Sequence, residues 1–138
     1  MDDRYALVIG VPSVEDYCRL RVSAGLSPKS PEAAAVGLPN TLFGVVIVED
    51  DRVIGMGRVI GDGGLFYQLV DIAVEPAHQR RGLGKAIVGK LLEYLQQSAP
   101  DGAHVSLIAD GPAQHLYSRF GFKPTAPDSI GMAFSIRR

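Results

Sequence analysis

The chain has 138 residues, which is the size of one ordinary domain. Fourteen Lys and Arg residues stand against fifteen Asp and Glu residues, so the net charge of −1 argues against a general nucleic-acid binder. Hydrophobic residues make up 46% of the chain and charged residues 21%, so we expect a folded core rather than disorder.

Covalent staples and membrane segments are not expected. The single Cys18 cannot form an internal disulfide, and no Cys/His cluster has the spacing of metal ligands. No apolar run approaches the ~18 residues of a membrane span, and the start of the chain lacks a signal-peptide pattern. We therefore expect a soluble cytoplasmic protein without a metal, a membrane or a nucleic acid as partner; a homodimer is left open.

The first part of the chain predicts one strand and two helices. Residues 5–10 have the composition of a strand, and Ser13 is placed to cap a helix over residues 14–24. A proline-punctuated loop follows. Ser30 then precedes Pro31, which predicts a second, short helix that ends by Gly37.

The middle of the chain predicts three strands and the strongest helix. Residues 42–49 and 52–60 form a hairpin, and the mostly apolar residues 65–74 form a central strand. A helix over residues 82–97 is predicted by apolar residues that recur every fourth position: Leu83, Ile87, Leu91 and Leu95.

The last part predicts a strand over residues 104–109, a helix from Pro112 to about residue 120, an extended stretch from Phe122 and a closing strand over residues 132–136. The resulting order, β-α-α-β-β-β-α-β-α-β-β, predicts a single α+β domain over residues 1–138. Its mixed sheet has about six to seven strands, flanked by about four helices.

The segment between the central strand and the long helix has the features of an anion site. Residues 76–90 contain four Lys and Arg residues and no acid, and Gly82 and Gly84 lie where the helix begins. The free N–H groups and the dipole of a helix N-terminus favour a diphosphate, although two glycines can also simply shape a tight turn. The dinucleotide fingerprint is absent because Ile87 replaces its third glycine, and the nucleotide phosphate loop is absent because Ala86 follows Lys85.

Two motifs carry a resemblance to a known family. Residues 79–84, Gln-Arg-Arg-Gly-Leu-Gly, are similar to the Gln/Arg-x-x-Gly-x-Gly/Ala motif of the GNAT (Gcn5-related) N-acetyltransferases. Residues 113–122 resemble the family's second signature, Ala-x-x-x-Tyr-x-x-x-Gly-Phe. The resemblance covers nearly the whole chain and extends to the small single-domain bacterial and plastid members of the family. It implies a GNAT-like fold with a splayed central strand.

The resemblance also implies acetyl-CoA as the acetyl donor. The pyrophosphate is expected on the glycine loop, whose matching residues are Gln79, Arg80, Arg81, Gly82, Leu83, Gly84 and Lys85. The pantetheine arm is expected to pair like an extra strand with Ile72, Ala73 and Val74. The family often has an asparagine where this chain has Asp110, which instead is placed to cap the helix at Pro112.

Catalytic roles follow in part from the same resemblance. Tyr117 matches the tyrosine that protonates the sulfur of coenzyme A, and the N–H of Val74 is a candidate donor to the oxyanion. Several family members carry a base near the positions of Gln68 and Val70, and neither residue can serve here. Asp71 is then the nearest carboxylate, either as the base or in a purely structural role.

Glu75 is a weaker candidate for the base, and it is expected at the surface, as are the two other titratable groups nearby, His78 and His115. Strict alternation along the strand places Asp71 and Glu75 on one face, and Gln68, Val70 and Ile72 on the other.

The expected function is N-acetylation of a primary amine, on a small molecule or on a protein or peptide, by direct transfer from acetyl-CoA. A non-catalytic acyl-CoA-binding or sensor domain is the first alternative, and a structural partner with a vestigial loop is the second. The helix–loop–helix over residues 17–40, which roofs the acceptor site in the family, has neither a dense acidic patch for a polyamine nor an aromatic box for an arylalkylamine.

Overall fold

One five-stranded mixed sheet organises the first 107 residues. The computed structural model describes residues 1–138, which divide into two units, Met1–Leu107 and Ile108–Arg138. The strands are β1 (Ala6–Ile9), β2 (Phe43–Glu49), β3 (Arg52–Gly61), β4 (Phe66–Val74) and β5 (His104–Ser106). The helices are α1 (Val14–Ser23), α2 (Pro31–Gly37), α3 (Leu83–Ser98) and, in the second unit, α4 (Gln114–Ser118).

The strands lie in the order β1-β2-β3-β4-β5. The neighbours from β1 to β4 are antiparallel, whereas β5 is parallel to β4 and is reached through the crossover helix α3. This is the single strand–helix–strand connection that the sequence predicts, and the α+β class is confirmed. No helix of the chain combines the length and the apolar character needed to cross a bilayer.

Side-chain caps begin both α1 and α2; the cap at Ser13 and the start of the second helix after Ser30 were predicted, and both are confirmed. The Ser13 hydroxyl accepts the backbone N–H of Asp16 at 3.1 Å, and the Ser30 hydroxyl accepts that of Ala33 at 3.1 Å. Each cap satisfies a donor that the first helical turn would otherwise leave unpaired. These two helices contact each other at the start of the chain, before β2 begins.

Helices cover the sheet on both faces. On one face, α1 and α2 enclose a core cluster with strand residues, made of Tyr17, Leu20, Ala34, Leu38, Val46, Met56 and Ala73. On the other face α3 comes so close to β3 that a Cβ atom on Gly57 would lie 2.5 Å from Ile87 Cγ2. Gly57 therefore permits the close approach of the helix to the sheet.

A bulge interrupts the pairing of β3 with β4. Met56 pairs with Ala73 and Arg58 pairs with Val70, so Asp71 and Ile72 together oppose Gly57. Asp71 has a positive φ of 60°, a conformation that only a few per cent of non-glycine residues adopt. The predicted placement of Val70 on the face opposite Asp71 is wrong, because Arg58, the partner of Val70, reaches the carboxylate of Asp71.

The sheet has five strands rather than six or seven. β5 ends at Ser106 instead of residue 109, and residues 119–138 form no strand and no helix. The expected strand at residues 132–136 has the right alternation of apolar side chains, yet Met132 and Phe134 are 88% and 89% exposed. Alternation marks a segment that is able to pair, but a strand forms only where a neighbouring strand completes the hydrogen bonds.

Candidate functional site

The second half of β4 has an open edge. β4 pairs with β5 only at Phe66, Tyr67 and Gln68, and from Leu69 to Val74 its one strand partner is β3. The predicted pantetheine-binding residues Ile72, Ala73 and Val74 all lie in this stretch. The edge presents backbone groups that a ligand with amide groups can pair with, as an added strand would.

The loop after β4 is held to the end of the strand. A short 3₁₀ turn, Pro76–His78, leads to Gln79, whose side-chain amide donates to the carbonyl of Val74 at 3.0 Å. The side chain of Gln79 therefore fixes the loop from within the protein. Arg80 and Gly82 then take positive φ values of 65° and 79°, which turn the chain into the start of α3.

The turn into α3 leaves a run of backbone N–H groups without protein acceptors. The amide N–H of Gln79 bonds to Pro76, and the next N–H with a backbone acceptor is that of Ala86, which donates to Gly82 at 3.0 Å. None of the N–H groups from Arg80 to Lys85 donates to a protein group, and Gly82 provides no side-chain cap. Such a run at a helix N-terminus, where the helix dipole is positive, is suited to an anion.

Gly82 is the loop position whose backbone requires glycine. Its φ of 79° strains any other residue, and a Cβ atom built there meets no heavy atom within 4 Å. Nearby, the side chains of Arg80, Arg81 and Lys85 are exposed and add positive charge around the same loop. The space beside the Cα atom of Gly82 is therefore open.

Asp71 lies at the centre of a charged cluster that the sequence reasoning missed. Its carboxylate accepts hydrogen bonds from Arg21 Nη1 at 3.0 Å, Arg58 Nε at 2.8 Å and the Tyr17 hydroxyl at 2.9 Å. The Asp71 side chain is 5% exposed. We name Tyr17, Arg21, Arg58 and Asp71 the Asp71 cluster.

The Asp71 cluster ties α1 and two loops to the sheet. Arg21 also donates to Ser27, in the loop after α1, and Arg58 Nη1 donates to the Thr41 hydroxyl at 2.7 Å. Burial, together with the negative charge of Asp71, raises the pKa of Tyr17 to about 12, so its hydroxyl stays protonated and donates. The sequence does contain a signal for this cluster: Arg58 lies within one mostly apolar strand and Asp71 lies within the next.

Two of the three groups expected at the surface are partly buried. Glu75 accepts from Arg19 and Arg52, and although desolvation raises its pKa, these two guanidinium groups outweigh it and lower the pKa overall. The hydroxyl of Tyr5 lies 2.7 Å from His78 Nδ1. His115 is exposed, as expected.

Tyr117 lies in α4, in the second unit. Its ring meets that of Phe122 edge-on at 6.2 Å, and burial, with a contribution from the charge of Asp110, raises the pKa of its hydroxyl. A tyrosine of this kind stays protonated at neutral pH. Asp110 occupies the cap position of the 3₁₀ turn Gly111–Ala113, but its side chain makes no capping bond, so the predicted cap is wrong.

Comparison with known proteins identifies the family. The sequence profile of the acetyltransferase (GNAT) family matches residues 15–122, which cover most of the first unit and residues 108–122 of the second. The chain therefore belongs to the GNAT acetyltransferase family, and the resemblance drawn from the two motifs is confirmed.

Relatives and solved structures agree with this assignment. The chain is 34% identical over 84 residues to histone acetyltransferase TAP1 of Glycine max; the match covers 61% of this chain and 36% of that protein. The chain thus spans about a third of the length of this relative. A crystal structure from Staphylococcus aureus, of a protein of unknown function named SA2161 and described as a probable acetyltransferase, is 49% identical, with a TM-score of 0.93 over 96% of this chain and 99% of that one. The ribosomal-protein-S18-alanine N-acetyltransferase of Escherichia coli, 21% identical, has a TM-score of 0.69 over 86% of this chain and 78% of that one, which shows the shared fold.

Proposed function

We propose that this chain transfers the acetyl group of acetyl-CoA directly to a primary amine of a small molecule or of a protein or peptide. The observation that carries the proposal is the run of unpaired backbone N–H groups from Arg80 to Lys85, at the N-terminus of α3. In this proposal these groups bind the pyrophosphate, with the charges of Arg80, Arg81 and Lys85 around it.

The pantetheine arm is proposed to pair with the open edge of β4. An arm that leaves the loop after Val74 and follows this edge back past Ala73 and Ile72 has its amides beside a stretch of β4 that has no neighbouring strand on that side. Its thioester end then comes near the bulge at Asp71. The N–H of Val74 is the proposed donor to the carbonyl oxygen that gains charge during the reaction.

The chemistry needs a neutral amine, because a protonated nitrogen has no electron pair with which to attack. Asp71 and Glu75 are already hydrogen bonded to arginines, which supports a positioning role for Asp71 and leaves the amine to lose its proton to water. The amine nitrogen attacks the thioester carbon, the carbon–sulfur bond breaks, and the sulfur takes a proton from Tyr117. The hydroxyl of Tyr117 is restored by the proton that the new amide releases.

A non-catalytic acyl-CoA-binding domain is the second candidate. It is favoured by the same absence of a free carboxylate beside the bulge. This candidate predicts binding of coenzyme A without amine-dependent release of its thiol.

The binding loop is tested by Gly82→Val against the matched control Gly102→Val. The φ angle is 83° at Gly102 and 79° at Gly82, and a Cβ atom built on either glycine meets no heavy atom within 4 Å. Both variants therefore carry a similar backbone strain. Only Gly82→Val adds a side chain within the run of unpaired backbone N–H groups from Arg80 to Lys85. We expect it to weaken coenzyme A binding by about 10- to 100-fold, which is the loss of one charge-assisted hydrogen bond.

Titration calorimetry with coenzyme A on the folded variants gives the result. Gly102→Val should bind as the wild type does. Equal affinity of both variants and the wild type would show that the glycine loop only shapes a turn.

A further inference from the structure

The Asp71 cluster carries an excess positive charge. Arg21 and Arg58 share one carboxylate, and their side chains are each 11% exposed. The next acid along the chain, Glu75, is already paired with Arg19 and Arg52. One positive charge in this nearly buried region is therefore not balanced by any acid of the protein in contact with it.

Of the two arginines, Arg58 is the one with a free donor nitrogen. All three nitrogens of Arg21 donate within the protein, to Asp71 and to Ser27. Arg58 uses Nε for Asp71 and Nη1 for Thr41, whereas its Nη2 donates to no protein group. Arg58 is only 9% exposed, and no fully buried side-chain atom lacks a partner, so Nη2 retains a small contact with solvent.

Arg58 lies close to the place where the acceptor amine has to bind. Arg58 pairs with Val70 and bonds to Asp71, so it lies directly beside the β4 bulge. On the proposed function, the thioester end of acetyl-CoA lies near this bulge. The face is the one that α1 covers, since Tyr17 of α1 has its ring centre 5.8 Å from the Arg58 guanidinium carbon.

We propose that Arg58 binds a carboxylate group carried by the acceptor amine. The acceptor is then an amino acid or a similar compound, with an amine and a carboxylate in one small molecule, and this inference rests on the proposed function. A nearly desolvated guanidinium with a free N–H attracts a carboxylate strongly. The same charge repels the second ammonium group of a diamine, which disfavours polyamines.

The first test uses the wild-type protein with matched acceptors. Aminocarboxylates with one to five methylene groups are compared with n-alkylamines and α,ω-diamines of the same chain length, and free thiol release and acetylated product are both measured. We expect kcat/KM for the best aminocarboxylate to exceed that of its alkylamine by about 10- to 100-fold. If kcat/KM for the best aminocarboxylate is equal to or lower than that for its alkylamine, the proposed role of Arg58 is wrong, whereas the acetyltransferase activity is still supported. Turnover of no amine at all contradicts the proposed function instead.

The second test is Arg58→Gln with Arg52→Gln as a control of equal charge change. Arg52 lies on the same strand, and its side chain is 57% exposed. Arg58→Gln leaves Asp71 paired with Arg21 and Tyr17. The ratio of kcat/KM for the aminocarboxylate to kcat/KM for the alkylamine should fall to within about threefold of one, mainly because KM for the aminocarboxylate rises. Arg52→Gln should keep the wild-type preference. An equal loss on aminocarboxylates and alkylamines would show a merely structural role. If Arg58→Gln does not fold, the wild-type ratio decides the proposal.

Discussion

The variant Tyr117→Phe is expected to lower kcat by about 10²- to 10⁴-fold, because it removes a positioned acid and keeps the ring. The edge-on contact with Phe122 does not need the hydroxyl, so α4 should keep its packing. A thiolate is a fairly good leaving group and water can replace the acid in part, which favours the lower end of this range. The acid acts in the transition state, so coenzyme A affinity should stay within a few-fold of the wild type.

Two further readouts separate an acid from a core tyrosine. A donor whose leaving thiol is more acidic needs less protonation, so its rate should depend less on the Tyr117 hydroxyl. Burial raises the pKa of Tyr117, so the wild type keeps its acid through neutral pH, and its rate should fall only above the pH range in which tyrosine ordinarily ionises. Wild-type turnover by Tyr117→Phe, measured where chemistry limits the rate, would show that Tyr117 is only a packing residue.

The variant Asp71→Asn is expected to cost stability rather than only rate. It leaves Arg21 and Arg58 nearly buried without a counter-charge, which typically costs roughly 3–5 kcal/mol. For a chain of this length the melting temperature should fall by roughly 10 °C or more. The exposed Asp101→Asn makes the same chemical change in a turn and should leave the melting temperature almost unchanged.

A double variant sharpens the result. Asp71→Asn combined with Arg58→Gln leaves one guanidinium without a counter-charge instead of two. The double variant should therefore lose less stability than the two single variants lose when their losses are added. An unchanged melting temperature for Asp71→Asn, with a rate loss that shrinks at high pH, would instead identify Asp71 as the base.

Local chemistry made much of the fold predictable. Ser13 and Ser30 cap their helices through side-chain bonds to residues three positions later, so the sequence alone contains the whole interaction. The glycine loop is local in the same way, because Gly82 sits between a strand end and an amphipathic helix. These features need no knowledge of distant contacts.

Features that depend on distant segments were missed. The bulge at Asp71 is a property of the register between β3 and β4, and strict alternation therefore misplaced Val70. The pairing of Arg58 with Asp71 depends on the same register. Apolar residues alternate near the end of the chain as they do in a strand, at Ile130, Met132, Phe134 and Ile136. Alternation alone does not show whether a partner strand is present.

Amine-dependent release of free thiol from acetyl-CoA tests the proposed activity most directly. The wild-type protein is mixed with acetyl-CoA and the acceptor panel, and both the thiol and the N-acetylated product are quantified. We expect one mole of acetylated amine per mole of thiol, with a rate that saturates in both substrates and rises with pH toward the pKa of the amine. Thiol release that no amine on the panel accelerates, from a protein that still binds coenzyme A, would contradict the transferase and support the binding domain.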